Sequence, residues 1–189
     1  ELAFHEHKAA SLLTARLEKD GLAVQRNAFG LETAYATRFG DKGVEVGILS
    51  EYDALPGIGH ACGHNIIAVT GLGAALALSK LNGSLPGRVR YLGTPAEEQG
   101  GGKELMAQDG AFDGLDCAMM VHPAGVDLAT MPCICVSEVE VIYQGKSAHA
   151  SAMPHAGLNA LDALITAYQT IAQLRQHIKP TERIHGIIN

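Results

Sequence analysis

The sequence predicts an α/β fold with a mainly parallel sheet, followed by the start of a second, smaller domain. Between about residues 42 and 123, short apolar runs bounded by glycine and proline alternate with helical segments. That alternation is typical of parallel strands joined by crossover helices. From residue 136 an apolar–polar alternation begins and an amphipathic helix follows it, so we place the domain boundary between residues 136 and 137.

The chain begins with a helical pattern and then changes to strands. Residues 1–19 carry apolar side chains at helical spacing, and the pattern ends at an Asp-Gly pair. Two short runs, LAVQRNAF and ETAYATRF, follow with Gly30 between them and predict a pair of strands. The apolar run over residues 42–50 predicts a third strand, which leads directly into the polar segment EYDALPGIGHACGHN.

A mostly apolar helix is predicted over residues 65–81. Asn65 is the expected N-cap, because asparagine side chains accept hydrogen bonds from the free N–H groups of a first turn. The Asn-Gly pair at residues 82–83 is the expected end. Gly71 and Gly73 lie inside this helix, where each costs roughly 1 kcal/mol relative to alanine, and we expect them to permit close packing.

The remaining elements are predicted from the same periodicities. They are strands over 87–95 and 115–123 on either side of a short helix from Lys103 to Gln108, then a half-exposed strand over 136–145, an amphipathic helix over 157–177 and a strand over 183–189.

The composition is that of an ordinary soluble globular protein. Of the 189 residues, 47% are hydrophobic and 18% are charged, and the formal net charge of −6 argues against a nucleic-acid-binding surface. The longest apolar run, residues 66–78, is too short and too rich in glycine to span a bilayer. The four cysteines do not form a disulfide pattern, and Cys117 is expected to be a buried thiol. We expect a cytoplasmic protein without a membrane or nucleic-acid partner. Because the chain starts at Glu1 and ends within a strand pattern, we also expect an N-terminal fragment.

Polar side chains follow the strands predicted over 42–50, 87–95 and 115–123. Because the carboxyl ends of parallel strands lie at one edge of a sheet, these side chains are expected to meet in one crevice. This convergence is the strongest functional signal in the chain. The group consists of Glu51, Asp53, Cys62, His64, Glu97, Glu98 and His122.

Cys62 and His64 are the central pair of this group. Residues two apart in an extended segment face the same side, and a thiolate beside an imidazole suits Zn²⁺. The alternatives are a cysteine nucleophile with its base, or a thiol beside a turn histidine, and the other polar strand ends favour the metal. Asp53 is better placed to orient a ligand histidine than to bind metal. Glu51 is ambiguous, and His60 is expected to be structural.

Glu97 and Glu98 follow an apolar strand and precede three glycines, which is not the setting of a solvent-facing helix. Two neighbouring carboxylates can divide the work of a hydrolytic site. One binds metal, while the other takes a proton from a metal-bound water and delivers it to a leaving group. His122, at a strand end directly before a proline, is a further candidate ligand. Cys133 and Cys135 share one strand face and are expected to be buried thiols.

Four motifs together resemble a family of dinuclear zinc metallopeptidases and amidohydrolases. They are EYDALPGIGHACGHN, GTPAEEQGGGK, MMVHP and GKSAHASAMPHAGLNALDA. The family includes aminoacylases, indole-acetyl-amino-acid hydrolases and p-aminobenzoyl-glutamate hydrolase, and HACGHN is similar to the branch near the β-alanyl-dipeptide hydrolases. The resemblance implies a catalytic domain over residues 1–136 with its sheet sandwiched by helices. It also implies that residues 137–189 are the first half of an inserted α+β lid and dimerisation domain.

The resemblance implies a role for individual residues. Glu97 corresponds to the general base, and Glu51 stands where more distant relatives carry a histidine ligand, so it is not assigned to metal. His149 resembles a lid histidine that reaches the partner subunit's active site and stabilises the oxyanion, which implies a homodimer. Two divalent ions are the implied cofactors, zinc first, with manganese or cobalt as alternatives. Their ligands in this chain are Cys62, His64, Glu98 and His122.

The predicted function is metal-dependent hydrolysis of an amide bond by metal-activated water, with Glu97 as general base. The expected substrate is an N-acyl amino acid, a dipeptide or an aminobenzoyl-glutamate-like compound. The alternatives are a non-catalytic metal-binding homologue and a cysteine hydrolase that uses Cys62. Glu97 favours the enzyme, because a purely structural metal site needs no free base. The family's last histidine ligand has no counterpart in the sequence, so the fragment alone is expected to be inactive.

Overall fold

A computed structural model describes residues 1–81 and 83–189. The chain forms two compact units, Glu1–Thr130 and Met131–Asn189. This division falls a few residues before the boundary expected after residue 136. The assignment of the second unit to a lid and dimerisation domain stays a prediction.

The first unit contains a five-stranded open sheet with the strand order β1-β2-β4-β3-β5. Strand β3 is parallel to both of its neighbours, β4 and β5, whereas β2 is antiparallel to β4 and to β1. The α/β class is therefore confirmed, and the strands that alternate with helices are the parallel ones. The first two strands, β1 and β2, form the antiparallel part of the sheet. The strands are β1 (Val24–Arg26), β2 (Tyr35–Phe39), β3 (Glu45–Ser50), β4 (Arg88–Gly93) and β5 (Cys117–Met119).

Helices cover both faces of this sheet. They are α1 (His7–Lys19), α2 (His64–Ser79) and α3 (Gly102–Gln108). Successive residues of a strand point to opposite faces. Tyr35 of β2 accordingly packs in the cluster that includes Leu17 of α1 and Ala75 of α2. Its neighbour Ala36 packs in the cluster that includes Met106 of α3.

The first helix is shorter than predicted, because it begins at His7 rather than near residue 1. The preceding residues fold back as a turn, in which Phe4 has a left-handed backbone (φ 64°). The Glu1 carboxylate accepts hydrogen bonds from the backbone N–H groups of Lys8 and Ala9 at 3.0 and 2.9 Å. Glu1 thus satisfies free donors at the start of the helix, as a capping side chain does.

The second helix begins at His64, so the prediction of Asn65 as its N-cap is wrong. The capping position belongs to Gly63, whose φ of 80° is left-handed. A Cβ atom at Gly63 would also lie 2.8 Å from the ring of Pro123. The helix ends at Ser79, and Asn82 of the predicted stop lies outside the described residues.

The two glycines inside α2 differ in what surrounds them. A Cβ atom at Gly71 would lie 2.1 Å from Ser50 Oγ, whereas nothing lies within 4 Å of such an atom at Gly73. Close packing is therefore confirmed for Gly71 and is wrong for Gly73.

The glycine pair gives a matched test of packing. We expect Gly71→Ala to lower the free energy of unfolding by roughly 1–3 kcal/mol, because the added methyl overpacks the contact with β3. Gly73→Ala adds helix propensity in open space and should raise it by up to about 1 kcal/mol. Denaturant titration of the two variants measures both changes. Destabilisation of equal size in both would contradict the assignment of the contact to Gly71.

The second unit contains α4 (Ala160–Leu174), close to the predicted range, with the Asn159 side chain accepting from the N–H of Leu161 at 3.1 Å. The strands predicted over 136–145 and 183–189 are absent from the described residues of this unit. A strand needs a neighbour for its hydrogen bonds, and here Val139 and Ile187 are 82% and 83% exposed.

All four cysteines are free, and the expected burial of three of them is wrong. Cys117 is exposed on β5, a strand at the edge of the sheet, and Cys133 and Cys135 are exposed because the strand predicted beside them does not form. In the part of the chain that the structure describes, no helix has both the length and the apolar character needed to cross a bilayer.

Candidate active site

The three parallel strands place the predicted site residues at one edge of the sheet. β3, β4 and β5 run in the same direction, so the segments that follow Ser50, Gly93 and Met119 leave the sheet on the same side. The seven side chains expected to converge all belong to these segments or to the start of α2. The parallel arrangement explains how residues 51 to 122 reach one crevice.

His64 lies at the centre of this crevice and is buried. Its Nε2 atom lies 3.4 Å from a carboxylate oxygen of Glu51, and 3.7 Å from one oxygen each of Glu97 and Glu98. The His122 ring is perpendicular to the His64 ring, with 6.0 Å between the ring centres. Three carboxylates and a second imidazole therefore surround one ring nitrogen.

Asp53 forms hydrogen bonds with two of these residues, His64 and Glu98. One carboxylate oxygen lies 3.0 Å from Nδ1 of His64, and the other accepts the backbone N–H of Glu98 at 2.9 Å. Burial alone would raise the pKa of Asp53, but the hydrogen bonds from His64 and Glu98 lower it overall. A negative Asp53 accepts the Nδ1–H of His64, so this tautomer directs the Nε2 lone pair at the carboxylates.

The fit of a metal cation to this crevice can be judged from atoms that lack partners. Among the described residues, Nε2 of His64 and Oε2 of Glu51 are buried without a hydrogen-bond partner. Both are acceptors in the tautomer set by Asp53, and two buried acceptors facing each other cost free energy unless a cation satisfies them. The donor set of imidazole and carboxylate groups suits Zn²⁺. The residues present therefore fit a divalent metal.

Two groups of side chains have ligand atoms within 4.8 Å of one another: Glu51 with His64 and His122, and His64 with Glu97 and Glu98. The predicted ligands His64, Glu98 and His122 fall in these groups, together with Glu51 and Glu97, whereas the fourth predicted ligand, Cys62, is in neither of them. His122 donates its Nδ1–H to the carbonyl of Pro123 at 2.8 Å in the matching tautomer, which leaves its Nε2 atom for a metal.

A family comparison agrees with this geometry. The model of the peptidase family M20/M25/M40 matches residues 47–185. The chain belongs to this family. The match includes both glutamates, both central histidines and Cys62.

Individual members of the M20 family show how far the similarity extends. The chain is 45% identical to the Xaa-Arg dipeptidase of Mus musculus, over all of this chain and 47% of that protein. It is 32% identical to one of the polypeptides that form the p-aminobenzoyl-glutamate hydrolase of Escherichia coli, over all of this chain and 43% of that polypeptide. The chain thus spans about half the length of the curated relatives it matches.

A solved M20 structure also matches the fold. A dinuclear metal-binding peptidase from Bacillus subtilis superposes with a TM-score of 0.58 and 26% identity, over 62% of this chain and 37% of that one. The chain accordingly shares its fold with an M20 metallopeptidase.

Cys62 lies beside Glu98 and is half-buried. A hydrogen bond to Glu98, together with burial and the charges of Glu98, Glu97 and Asp53, raises the pKa of its thiol to about 11. A cysteine nucleophile needs a lowered pKa, so this environment argues against the cysteine-hydrolase alternative. The same acidic surroundings attract a cation, which would convert the thiol to a thiolate ligand.

Glu97 is the most accessible carboxylate of the cluster, with 43% of its side chain exposed. Burial raises its pKa, and the charge of Glu51 raises it further, against the opposing charge of Lys103. A carboxylate with a raised pKa is a better proton acceptor near neutral pH than an ordinary one.

Lys103 is a site residue for which the sequence predicts only a position in a short helix. It lies in the first turn of α3, and its ammonium group donates to the Glu51 carboxylate. This pairing engages Oε1 of Glu51 and leaves its Oε2 facing His64, so Glu51, which the resemblance left unassigned, belongs to one of the two candidate ligand groups. The signal available in the sequence was the position of the lysine directly after the three glycines that follow Glu97 and Glu98.

Two further histidines lie apart from this cluster. His60 is exposed, and its backbone carbonyl accepts the N–H of Gly63 at 3.1 Å. His149 belongs to the second unit, where its Nδ1 atom accepts the backbone N–H of Ala152 at 3.2 Å. The role of His149 therefore stays a prediction.

Proposed function

We propose that the protein containing this chain uses two divalent metal ions to hydrolyse an amide bond in a dipeptide, an N-acyl amino acid or an aminobenzoyl-glutamate-like compound. The observation that carries this proposal is the buried Nε2 atom of His64, which faces three carboxylates without a hydrogen-bond partner among the described residues. Membership of the M20 family and the activities named for its relatives support the same reaction class.

In this proposal four side chains hold the ions: Cys62, His64, Glu98 and His122. Zinc is the first choice because thiolate and imidazole are among its preferred ligands, with manganese or cobalt as alternatives. Bound ions of this kind supply a lowered pKa for water and polarise a substrate carbonyl. Asp53 fixes the tautomer of His64 and the backbone of Glu98, so it holds two of the four ligands in place.

Glu97 acts as the general base in the proposed reaction. It accepts a proton from the attacking water and delivers it to the amine nitrogen as the amide bond breaks. Its partial exposure leaves it accessible to substrate, and its position 3.7 Å from Nε2 of His64 places it beside the proposed metal ions.

His149 is proposed to stabilise the oxyanion in the active site of a partner subunit, which requires a homodimer formed through the second unit. The support is the motif GKSAHA and the hydrogen bond that Nδ1 of His149 accepts from Ala152, which makes Nε2 the nitrogen that can donate to an oxyanion. A cytoplasmic location for the protein is a separate part of the proposal. It is supported by the four free thiols, which are typical of a reducing compartment.

Metal removal tests the proposed reaction in the full-length protein. We expect dialysis against a chelator to abolish hydrolysis of an Xaa-Arg dipeptide, p-aminobenzoyl-glutamate or an N-acetyl amino acid, whichever the protein cleaves. Readdition of Zn²⁺, Mn²⁺ or Co²⁺ should restore it, because the proposed reaction depends on a cation to stabilise the transition state. Dialysis against the same chelator saturated with Zn²⁺ is the control. Turnover that survives complete metal removal would contradict the proposal, and metal binding without turnover of any amide would indicate a non-catalytic homologue.

A further inference from the structure

Glu6 is a buried acidic residue that the proposed reaction does not use. It precedes α1, and its side chain is fully buried. One carboxylate oxygen accepts the backbone N–H groups of Phe4 at 3.0 Å and Ala96 at 2.8 Å. The other oxygen accepts the hydroxyl of Thr33 at 2.8 Å. Burying a carboxyl group is costly unless its hydrogen bonds are made, and Glu6 reaches across 90 positions of sequence to make one of them.

Its partner Ala96 is the residue directly before Glu97, and its backbone is strained. Ala96 is fully buried with a φ of 58°, a left-handed conformation that residues with a Cβ atom rarely adopt. Its N–H is held by Glu6, and its carbonyl accepts the N–H of Gly102 at 3.0 Å. Such strain persists only where surrounding contacts impose it, and it often marks a functional site.

The rest of the N-terminal segment contacts the same region. A Cβ atom at Gly100 would lie 2.3 Å from the Phe4 ring, so this ring packs directly on the loop that follows the two glutamates. The carbonyl of Glu1 accepts the N–H of Ala54 at 2.9 Å, next to Asp53. Residues 1–6 therefore contact both the segment that contains Asp53 and the segment that contains Glu97 and Glu98. Of these contacts, the hydrogen bond from Ala96 to Glu6 lies nearest to Glu97 in the sequence.

We propose that Glu6 is a positioning residue that directs Glu97 and Glu98 toward His64 by holding Ala96 in its left-handed turn. The consequence for catalysis rests on the function proposed above, whereas the backbone contact can be tested without it. A misplacement of a catalytic group by about 1 Å can cost about 100-fold in rate, so loss of this hydrogen bond should be visible in turnover.

The test uses the full-length protein with three variants. Glu6→Ala removes the acceptor for the Ala96 N–H. Glu6→Gln keeps an oxygen for that N–H, and the Thr33 hydroxyl can turn to accept from the new amide. Thr33→Val is the matched control, because it removes the partner of the other carboxylate oxygen and leaves the Ala96 contact in place.

We expect Glu6→Ala to lower kcat about 10- to 100-fold with KM nearly unchanged, measured at saturating metal and well below the unfolding temperature of each variant. Metal affinity should also fall, because Glu98 is a proposed ligand. Glu6→Gln and Thr33→Val should keep kcat close to that of the wild type. If Glu6 had only a structural role, Thr33→Val and Glu6→Ala would lower kcat to a similar extent. If Glu6→Ala does not fold, Glu6→Asp replaces it, because the shorter side chain withdraws the carboxylate from Ala96.

Hydrogen exchange of the metal-free protein gives a readout independent of activity. Peptides covering residues 94–102 should exchange about tenfold faster in Glu6→Ala than in the wild type. Peptides from α2 should exchange at the wild-type rate in Glu6→Ala. In Glu6→Gln, peptides covering residues 94–102 should also exchange at the wild-type rate. Unchanged exchange in these peptides, or equal kcat in Glu6→Ala and Glu6→Gln, would overturn the proposal. A wild-type protein that hydrolyses no amide would instead refute the proposed function, while the exchange data would still decide the role of Glu6.

Discussion

Glu97→Gln is expected to lower kcat by about 100- to 10,000-fold, the usual contribution of a general base, while metal content and fold are retained. Glutamine has nearly the same shape but accepts no proton, and Glu97 is not among the four predicted ligands. Its neighbour Glu98 contacts the Asp53 carboxylate through its own backbone N–H, so the ligand carboxylate keeps its support in the variant. Steady-state kinetics and metal analysis of the full-length protein measure the two effects separately.

The controls for this variant lie on the same segment of chain. Glu104→Gln removes an exposed carboxylate of α3 that pairs only with Gln108 among the described side chains. This variant should keep the kcat and the metal content of the wild type. Glu98→Gln should lose metal as well as turnover. If Glu97→Gln turned over substrate at the wild-type rate, the base would have to be another residue.

The same variant tests the proposed role of His149. In mixed dimers of Glu97→Gln and His149→Ala subunits, one active site regains both Glu97 and the partner subunit's His149. Activity should therefore reappear on mixing two weakly active variants. Mixtures no more active than their components would refute the action of His149 across a dimer interface.

His64→Ala is expected to abolish stabilisation by metal, because His64 is the side chain common to both candidate ligand groups. Loss of a residue that merely orients a ligand costs about 10- to 100-fold in metal affinity, and loss of the ligand itself should exceed that. Zinc at about 100 times its dissociation constant stabilises a folded protein by about 2.7 kcal/mol. We expect the wild type to show an increase of this size and His64→Ala to show almost none.

Thermal unfolding with and without zinc measures this difference within each variant, so an altered baseline stability does not confuse the comparison. His60→Ala is the matched control, since His60 is exposed four residues earlier in the same motif. A metal-induced rise in His64→Ala equal to that in His60→Ala would show that the crevice is not the metal site.

The sequence predicted the convergence of the site because its strands follow a local pattern. Alternating apolar runs between residues 42 and 123 require parallel strands, and parallel strands bring Asp53, Glu97 and His122 to one edge. The same local reasoning misplaced the start of α2, because asparagine is a preferred capping residue, whereas in the structure Gly63 caps the helix with a left-handed backbone and lies against Pro123, a residue from a different strand end.

Other parts of the site depend on contacts that no sequence window contains. Lys103 pairs with Glu51 across 52 positions, and Glu6 reaches Ala96 across 90. Each partner is remote in the sequence from its charged residue, so only the folded chain reveals the pair. The strands predicted over 136–145 and 183–189 are absent for a related reason. Their apolar–polar alternation indicates that one face is buried, but it does not indicate which element would cover that face.

The contact between Gly63 and Pro123 has a consequence for how the metal site can change. Gly63 separates Cys62 from His64, and Pro123 follows His122, so three candidate ligands are adjacent to this one contact. The proline ring fills the space that a side chain at position 63 would need. A change at this contact would therefore affect the segments that carry all three candidate ligands. Any bulkier residue at position 63 would act as a wedge between the two halves of the metal site.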